Sequence, residues 1–185
     1  MSSLGFKPLI LAGTLALSSW ASAECGYQII TLDSLGSQFA GATAISSGFV
    51  VGTVQNGSQL SAVAWDLNTY AATVLGADAS AESISRVPDG SNVYVAGTLY
   101  GAETSQAVYW TWNGSSWSAG NPLGGIFASG VDGNVVVGQG GLFDAMKWLV
   151  GPTVTQQQLT TSGFGAAYDV AGGVAVGYDG TAAVT

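Results

Sequence analysis

The chain has 185 residues, 28 of them Gly, with 48% hydrophobic and only 8% charged, a length suited to one modest domain. Eleven acids against Lys7, Arg86 and Lys147 give a net charge of −8; three bases cannot neutralise a run of phosphates, which excludes nucleic acid as a partner. Histidine is absent, so His-based triads, His-ligated zinc and the histidine pH switch are excluded together.

Met1 to Ala23 reads as a secretory signal peptide, with Lys7 as the positive region, Pro8 to Leu17 as the apolar stretch and Ala21-Ser22-Ala23 as the cleavage site. A membrane anchor would need about 20 consecutive apolar residues, and Ser18 and Ser19 interrupt this run. The mature chain is then residues 24–185, carrying eleven acids and two bases. It is expected to be exported to the periplasm, the cell surface or the medium, with no membrane insertion of its own. Cys25 is the single cysteine, so stability has to come from packing rather than from an intrachain disulfide.

From residue 40 onward the sequence repeats one grammar: an apolar run reaching Gly, then Ala-x-x-Trp. Phe49-Val50-Val51-Gly52 leads to Ala62-Val63-Ala64-Trp65, and the run ending at Gly97 leads to Ala107-Val108-Tyr109-Trp110. The run ending at Gly138 leads to Ala145-Met146-Lys147-Trp148, and that ending at Gly177 to Ala183-Val184-Thr185. The four glycines stand 45, 41 and 39 residues apart, the length of a four-stranded propeller blade. In the first period, Ala40 to Ser46, Phe49 to Val54, Ala62 to Leu67 and Ala72 to Leu75 read as short strands separated by turn residues.

Along the third strand Val63, Trp65 and Leu67 alternate with Ala62, Ala64 and Asp66, one face large and one mostly small. Stacked blades need that complementarity, so Gly52, Trp65, Gly97, Trp110, Gly138, Trp148 and Gly177 are packing positions. The expected fold is all-β, with β-propeller-like repeats of about 40 residues and four short antiparallel strands per blade. A parallel β-helix is the alternative. Tyr27 to Leu32 resembles a fourth strand and would be placed to close a ring, but the stop at Thr185, one residue before an expected Trp, favours a piece of a longer propeller.

The Ala-x-x-Trp segments, with Leu-Gly turns at Leu35-Gly36, Leu75-Gly76 and Leu123-Gly124, resemble the repeats of the extracellular HAF family. Similar repeats occur in autotransporter passenger regions. The family signature reads roughly His-Ala-Phe-x-Trp, and this chain keeps the Ala and Trp but not the His and Phe. The resemblance implies a secreted or surface-displayed repeat protein with a propeller-like fold and no catalytic residues to carry over.

Three aromatics outside the packing positions, Tyr100, Trp112 and Trp117, are candidates for a ligand-binding surface, since an indole offers a flat apolar face with a donor at its edge. Asn113-Gly114 is expected to form a two-residue hairpin turn that sets Trp110 opposite Trp117. Asp89, Asp132 and Asp179 sit beside turn glycines, and Asp66, Glu82 and Glu103 read as solvated surface. Asp144 and Lys147 fall on opposite strand faces, which argues against a catalytic pair. The expected function is a non-enzymatic binding or adhesion module for an extracellular glycan or surface protein, without catalytic residues or a cofactor, although weak Ca²⁺ binding stays open. A polysaccharide hydrolase using a carboxylate pair is the alternative, and a structural spacer a third.

Overall fold

The computed structural model describes residues 29–90, 92–160, 163–180 and 182–184. Two units are distinguished, Met1–Ile30 and Thr31–Thr185. The signal-peptide assignment and Cys25 lie outside the described residues.

Among the described residues the fold is all-β. The first sheet holds β1 (Phe39–Ser46), β2 (Phe49–Asn56), β3 (Gln59–Asp66) and β4 (Ala72–Ala77) in chain order. The second holds β5 (Ala79–Arg86), β6 (Val93–Tyr100), β7 (Ser105–Trp112) and the short β8 (Asn121–Pro122). The third holds β9 (Gly125–Asp132), β10 (Val135–Gly140), β11 (Ala145–Leu149) and β12 (Thr155–Gln158), and the fourth β13 (Gly165–Ala171), β14 (Val174–Asp179) and β15 (Ala182–Val184). Every pair of these strands is antiparallel, which overturns the parallel β-helix. The connections are too short for parallel crossovers: Ser47-Gly48 and Gly172-Gly173, all at positive φ, are two-residue turns whose backbone matches strand twist.

The four glycines do not end strands but lie inside β2, β6, β10 and β14. Opposite each one the neighbouring first strand carries a β-bulge, with Thr43, Glu82, Ser129 and Tyr168 as the extra residues. A Cβ at Gly52, Gly97, Gly138 or Gly177 would lie 2.0–2.1 Å from the carbonyl oxygen of Gly41, Ser80, Phe127 or Ala166 respectively. Glycine is needed there because the backbone of the bulged strand comes that close, not because of a turn.

Sheets pack through their first strands: β5 lies against β1, β2 and β3, β9 against β5, β6 and β7, and β13 against β9, β10 and β11. At the first two of these interfaces large residues face small ones. Val51, Ala62 and Ala64 of the first sheet receive Val95, Val108 and Trp110 of the second. Ala96 and Ala107 of the second receive Val136 and Trp148 of the third. Trp65, Trp110 and Trp148 are fully buried.

Among the described residues the sheets are not closed into a propeller, and no packing of this kind joins the fourth sheet to the first. Nor does the segment expected to close a ring form a strand where it is described. Leu32 packs beside Val50, Val63 and Trp65, and the Asp33 carbonyl accepts a 2.7 Å hydrogen bond from Trp65 Nε1. This segment covers the back of the first sheet instead of extending the fourth.

Tyr109 is buried at the second interface, its ring edge-on to Tyr94 at 5.9 Å. Burial, and then the neighbouring Tyr94, raises the Tyr109 phenol above its ordinary value of 10.0. A raised pKa in the folded state favours the protonated form, so this contribution is complete below pH 10 and is lost as pH rises through the folded pKa. The urea midpoint is therefore expected to fall as pH rises above 10.0 and to fall less in Tyr109→Phe; identical profiles would refute the coupling.

Candidate functional site

The structure brings Trp112 and Trp117 together but separates them from Tyr100. Ser105 pairs with Tyr100 at one end of the β6–β7 hairpin and Trp112 with Val93 at the other, about 24 Å apart at about 3.4 Å per residue. The two indoles are half-buried, each edge-on to Phe49 at 5.2 Å and 5.5 Å from one another. They brace the rim of the first interface, which argues against a free platform.

Their register also differs from expectation, because Trp112, not Trp110, pairs with Trp117. The Asn113 side chain is the reason. Its Oδ1 accepts from Ser115 N and Ser116 N, both at 3.0 Å, which opens the turn to four residues.

Tyr100 does stand at a concavity. The residue is 42% exposed, with its hydroxyl 3.0 Å from Ser80 Oγ. It borders a cleft of about 370 Å³ with Glu82, Ser105, Phe127, Ser129 and Tyr168. Glu82, Ser129 and Tyr168 are the bulge residues of three successive sheets. Each bulge inserts one residue, resets the in–out alternation and turns that side chain toward the shared space.

Tyr168 also ends an aromatic ladder that sequence reasoning missed. Phe143 and Phe164 have centroids 6.1 Å apart, Phe164 and Tyr178 6.2 Å, and Tyr178 and Tyr168 5.9 Å. Phe143, Phe164 and Tyr168 are each more than half exposed. The ladder is built from the β10–β11 loop, the residue before β13, the β13 bulge and β14. Phe143 is held at φ +64°, a conformation unfavourable for a bulky side chain. The Phe143 N–H donates to the Gly140 carbonyl at 3.1 Å, and its own carbonyl accepts from Gly165 N at 2.5 Å.

Asp144 and Lys147 border separate clefts, Asp144 with Met146 and Gln158, and Lys147 with Ala175 and Val176 between the third and fourth sheets, in keeping with their opposite faces. Among the described residues no group of three or more His, Cys, Asp or Glu side chains is gathered to hold a metal. No helix among them is long and apolar enough to cross a membrane. Compared with known proteins, the chain matches no family model, no curated protein and no solved structure.

Proposed function

We propose that this chain is an exported, non-enzymatic carbohydrate-binding module of a propeller-like, HAF-type repeat protein. The four-stranded sheets, the bulge opposite each of four glycines and the buried Trp at the first and second interfaces support the blade-like reading. One observation carries the function: a ladder of four aromatic rings, largely exposed, runs into a polar cleft at Tyr168. The rings, with centroids about 6 Å apart and planes tilted 36–60° to one another, offer apolar surface for a sugar face, and the cleft supplies hydroxyls and the Glu82 carboxylate for orientation. Glu82 is the only acid among the described residues lining this cleft, which favours binding over hydrolysis by a carboxylate pair within it.

The test is a glycan array followed by calorimetry with Phe143→Gly and Phe164→Ala. Phe143→Gly relieves the positive φ, so its stability is expected to hold or rise by about 1 kcal/mol. Its affinity is expected to fall roughly three- to ten-fold, as is that of Phe164→Ala. Unchanged binding in both variants, or no glycan bound by the unmodified chain, would reject this function.

A further inference from the structure

Three interfaces inside the molecule follow one rule, and the first and fourth sheets carry the two halves of that rule unjoined. At each interface the first strand of one sheet buries an alanine and, three residues on, a branched aliphatic against the sheet before it. Ala81 and Ile84 of β5 do so at the first interface, Ala128 and Val131 of β9 at the second, and Ala167 and Val170 of β13 at the third. Their registers coincide: the alanine pairs with Gly97, Gly138 or Gly177, and the aliphatic with the residue two before that glycine. Ala42 and Ile45 of β1 hold the same register against Gly52 and Val50. Both are nevertheless exposed, Ile45 at 69%.

The receiving half is the residue just before each of these glycines. Val51, Ala96 and Val137 are fully buried there beneath the following sheet. Val176, at that place in β14, is 43% exposed. Val174, two residues earlier on the same face, is 53% exposed, whereas Phe49 and Tyr94 at its place in β2 and β6 are buried. Ala175 packs toward the third sheet with Val170, so strand alternation turns Val174 and Val176 to the opposite side.

A polar contact follows the same rule. Across the second interface Val131 N donates to Ser83 Oγ at 3.2 Å. Asp169 stands in β13 where Ser83 stands in β5, paired with the residue before the glycine, and it is exposed. Its Oδ1 accepts from Val170 N at 2.8 Å, and a carboxylate keeps further lone pairs for a second donor. Ile45 N is the counterpart of Val131 N by register.

We propose that a second copy of this chain docks head to tail, the fourth sheet of one molecule receiving β1 of the next. Ala42 and Ile45 then seat on Val174 and Val176, and Ile45 N donates to Asp169. A second copy is the occupant because the two exposed strips are the separated halves of an interface that this chain makes three times within itself. The proposal does not depend on the carbohydrate reading. Leu32 and Asp33 already occupy the back of β2 and β3, so the contact is narrower than the internal ones and its association is reversible. Such a contact joins unlike faces, so copies add in one direction until a ring closes.

Sedimentation velocity of the chain over a roughly hundred-fold range of concentration is expected to show the mass rising above that of one molecule. Ile45→Lys and Val176→Lys, both at exposed positions, are expected to fold and each to weaken association at least roughly ten-fold, because the contact would bury an unpaired ammonium. Mixing the two variants is the sharper test. Ile45→Lys keeps its fourth sheet and Val176→Lys keeps its β1, so each is expected to stay single alone and the pair to form a one-to-one dimer. Asp169→Ala is expected to weaken association roughly three-fold. Val174→Lys and Ala42→Lys serve if the first two variants do not fold.

A single mass at every concentration overturns the proposal. So does association abolished by only one of the two Lys variants, since like faces are then joined about a two-fold axis. Association that survives both variants places the contact elsewhere, and two variants that fail to pair when mixed contradict the head-to-tail arrangement; either result also overturns it.

Discussion

Gly97→Ala is expected to cost about 3 kcal/mol or more, enough to lower the urea midpoint by a large fraction of its value or to leave the chain unfolded. The added Cβ would stand 2.0 Å from the Ser80 carbonyl oxygen and 2.9 Å from Trp110 Cζ3. The first contact is backbone against backbone at a β-bulge and cannot be relieved by turning a side chain. The second is the face of an indole that is itself fully buried against the first sheet. Relief therefore requires β5 to move away from β6, which breaks the ladder and opens the interface to β1, β2 and β3 together. Gly57→Ala is the control: its added Cβ meets nothing within 4 Å, and the positive φ of 62° alone should cost about 1 kcal/mol. Equal losses in the two variants would mean that the close approach at the bulge does not matter.

That pair of glycines shows what could be read in advance. The position of Gly97 was legible because the same apolar run recurs before Gly52, Gly138 and Gly177, and a recurring glycine needs a physical reason. The reason itself was not legible. Sequence alone reads the glycine as the end of a run, whereas the strand continues through it and the constraint comes from the residue across the ladder. The Ala-x-x-Trp face pattern was more informative, because period-2 alternation states directly which side chains share a face. Trp110 and Trp148 are buried at the first and second interfaces, whereas Trp65 is buried on the back of the first sheet.

The same alternation misled wherever a bulge intervened. Glu82 reads as a solitary surface acid, yet its bulge turns it into the cleft beside Tyr100. Tyr168, two sheets further on, is redirected in the same way. The aromatic ladder was hidden for another reason: Phe143, Phe164, Tyr168 and Tyr178 belong to three separate stretches of chain and no local motif joins them. Phe164 lies between Gly163 and Gly165, a context that reads as loop and conceals a ring contact with Phe143 across two sheets. Trp112 and Trp117 failed in the opposite sense, since local density of indoles suggested a binding platform. Phe49, more than sixty residues earlier, is what they pack on.

Trp110→Ala is the second large effect, expected to lower stability by about 3–5 kcal/mol. Trp110 has no exposed surface and fills the space where Val51, Ala62 and Ala64 face Ala79, Ala81 and Val95. Those neighbours are small and lie on strands held by their own ladders, so they cannot collapse into the volume left behind. Gly76, Gly97 and Gly120 all approach the indole, and none carries a side chain that could swing in. Trp110→Phe separates the two parts of the loss. Trp110 Nε1 is buried without a hydrogen-bond partner, unlike Trp65 Nε1, which donates to Asp33. Replacing the indole by a benzene ring keeps much of the apolar contact and removes a buried donor that costs about 1–3 kcal/mol when unpaired. Trp110→Phe is therefore expected to lose well under half of what Trp110→Ala loses, and Trp65→Phe, which gives up a made hydrogen bond, to lose more than Trp110→Phe. Chemical denaturation of the three variants side by side tests the ordering. A Trp110→Phe loss equal to that of Trp110→Ala would mean that the whole indole outline, not its bulk, fixes the distance between the first and second sheets.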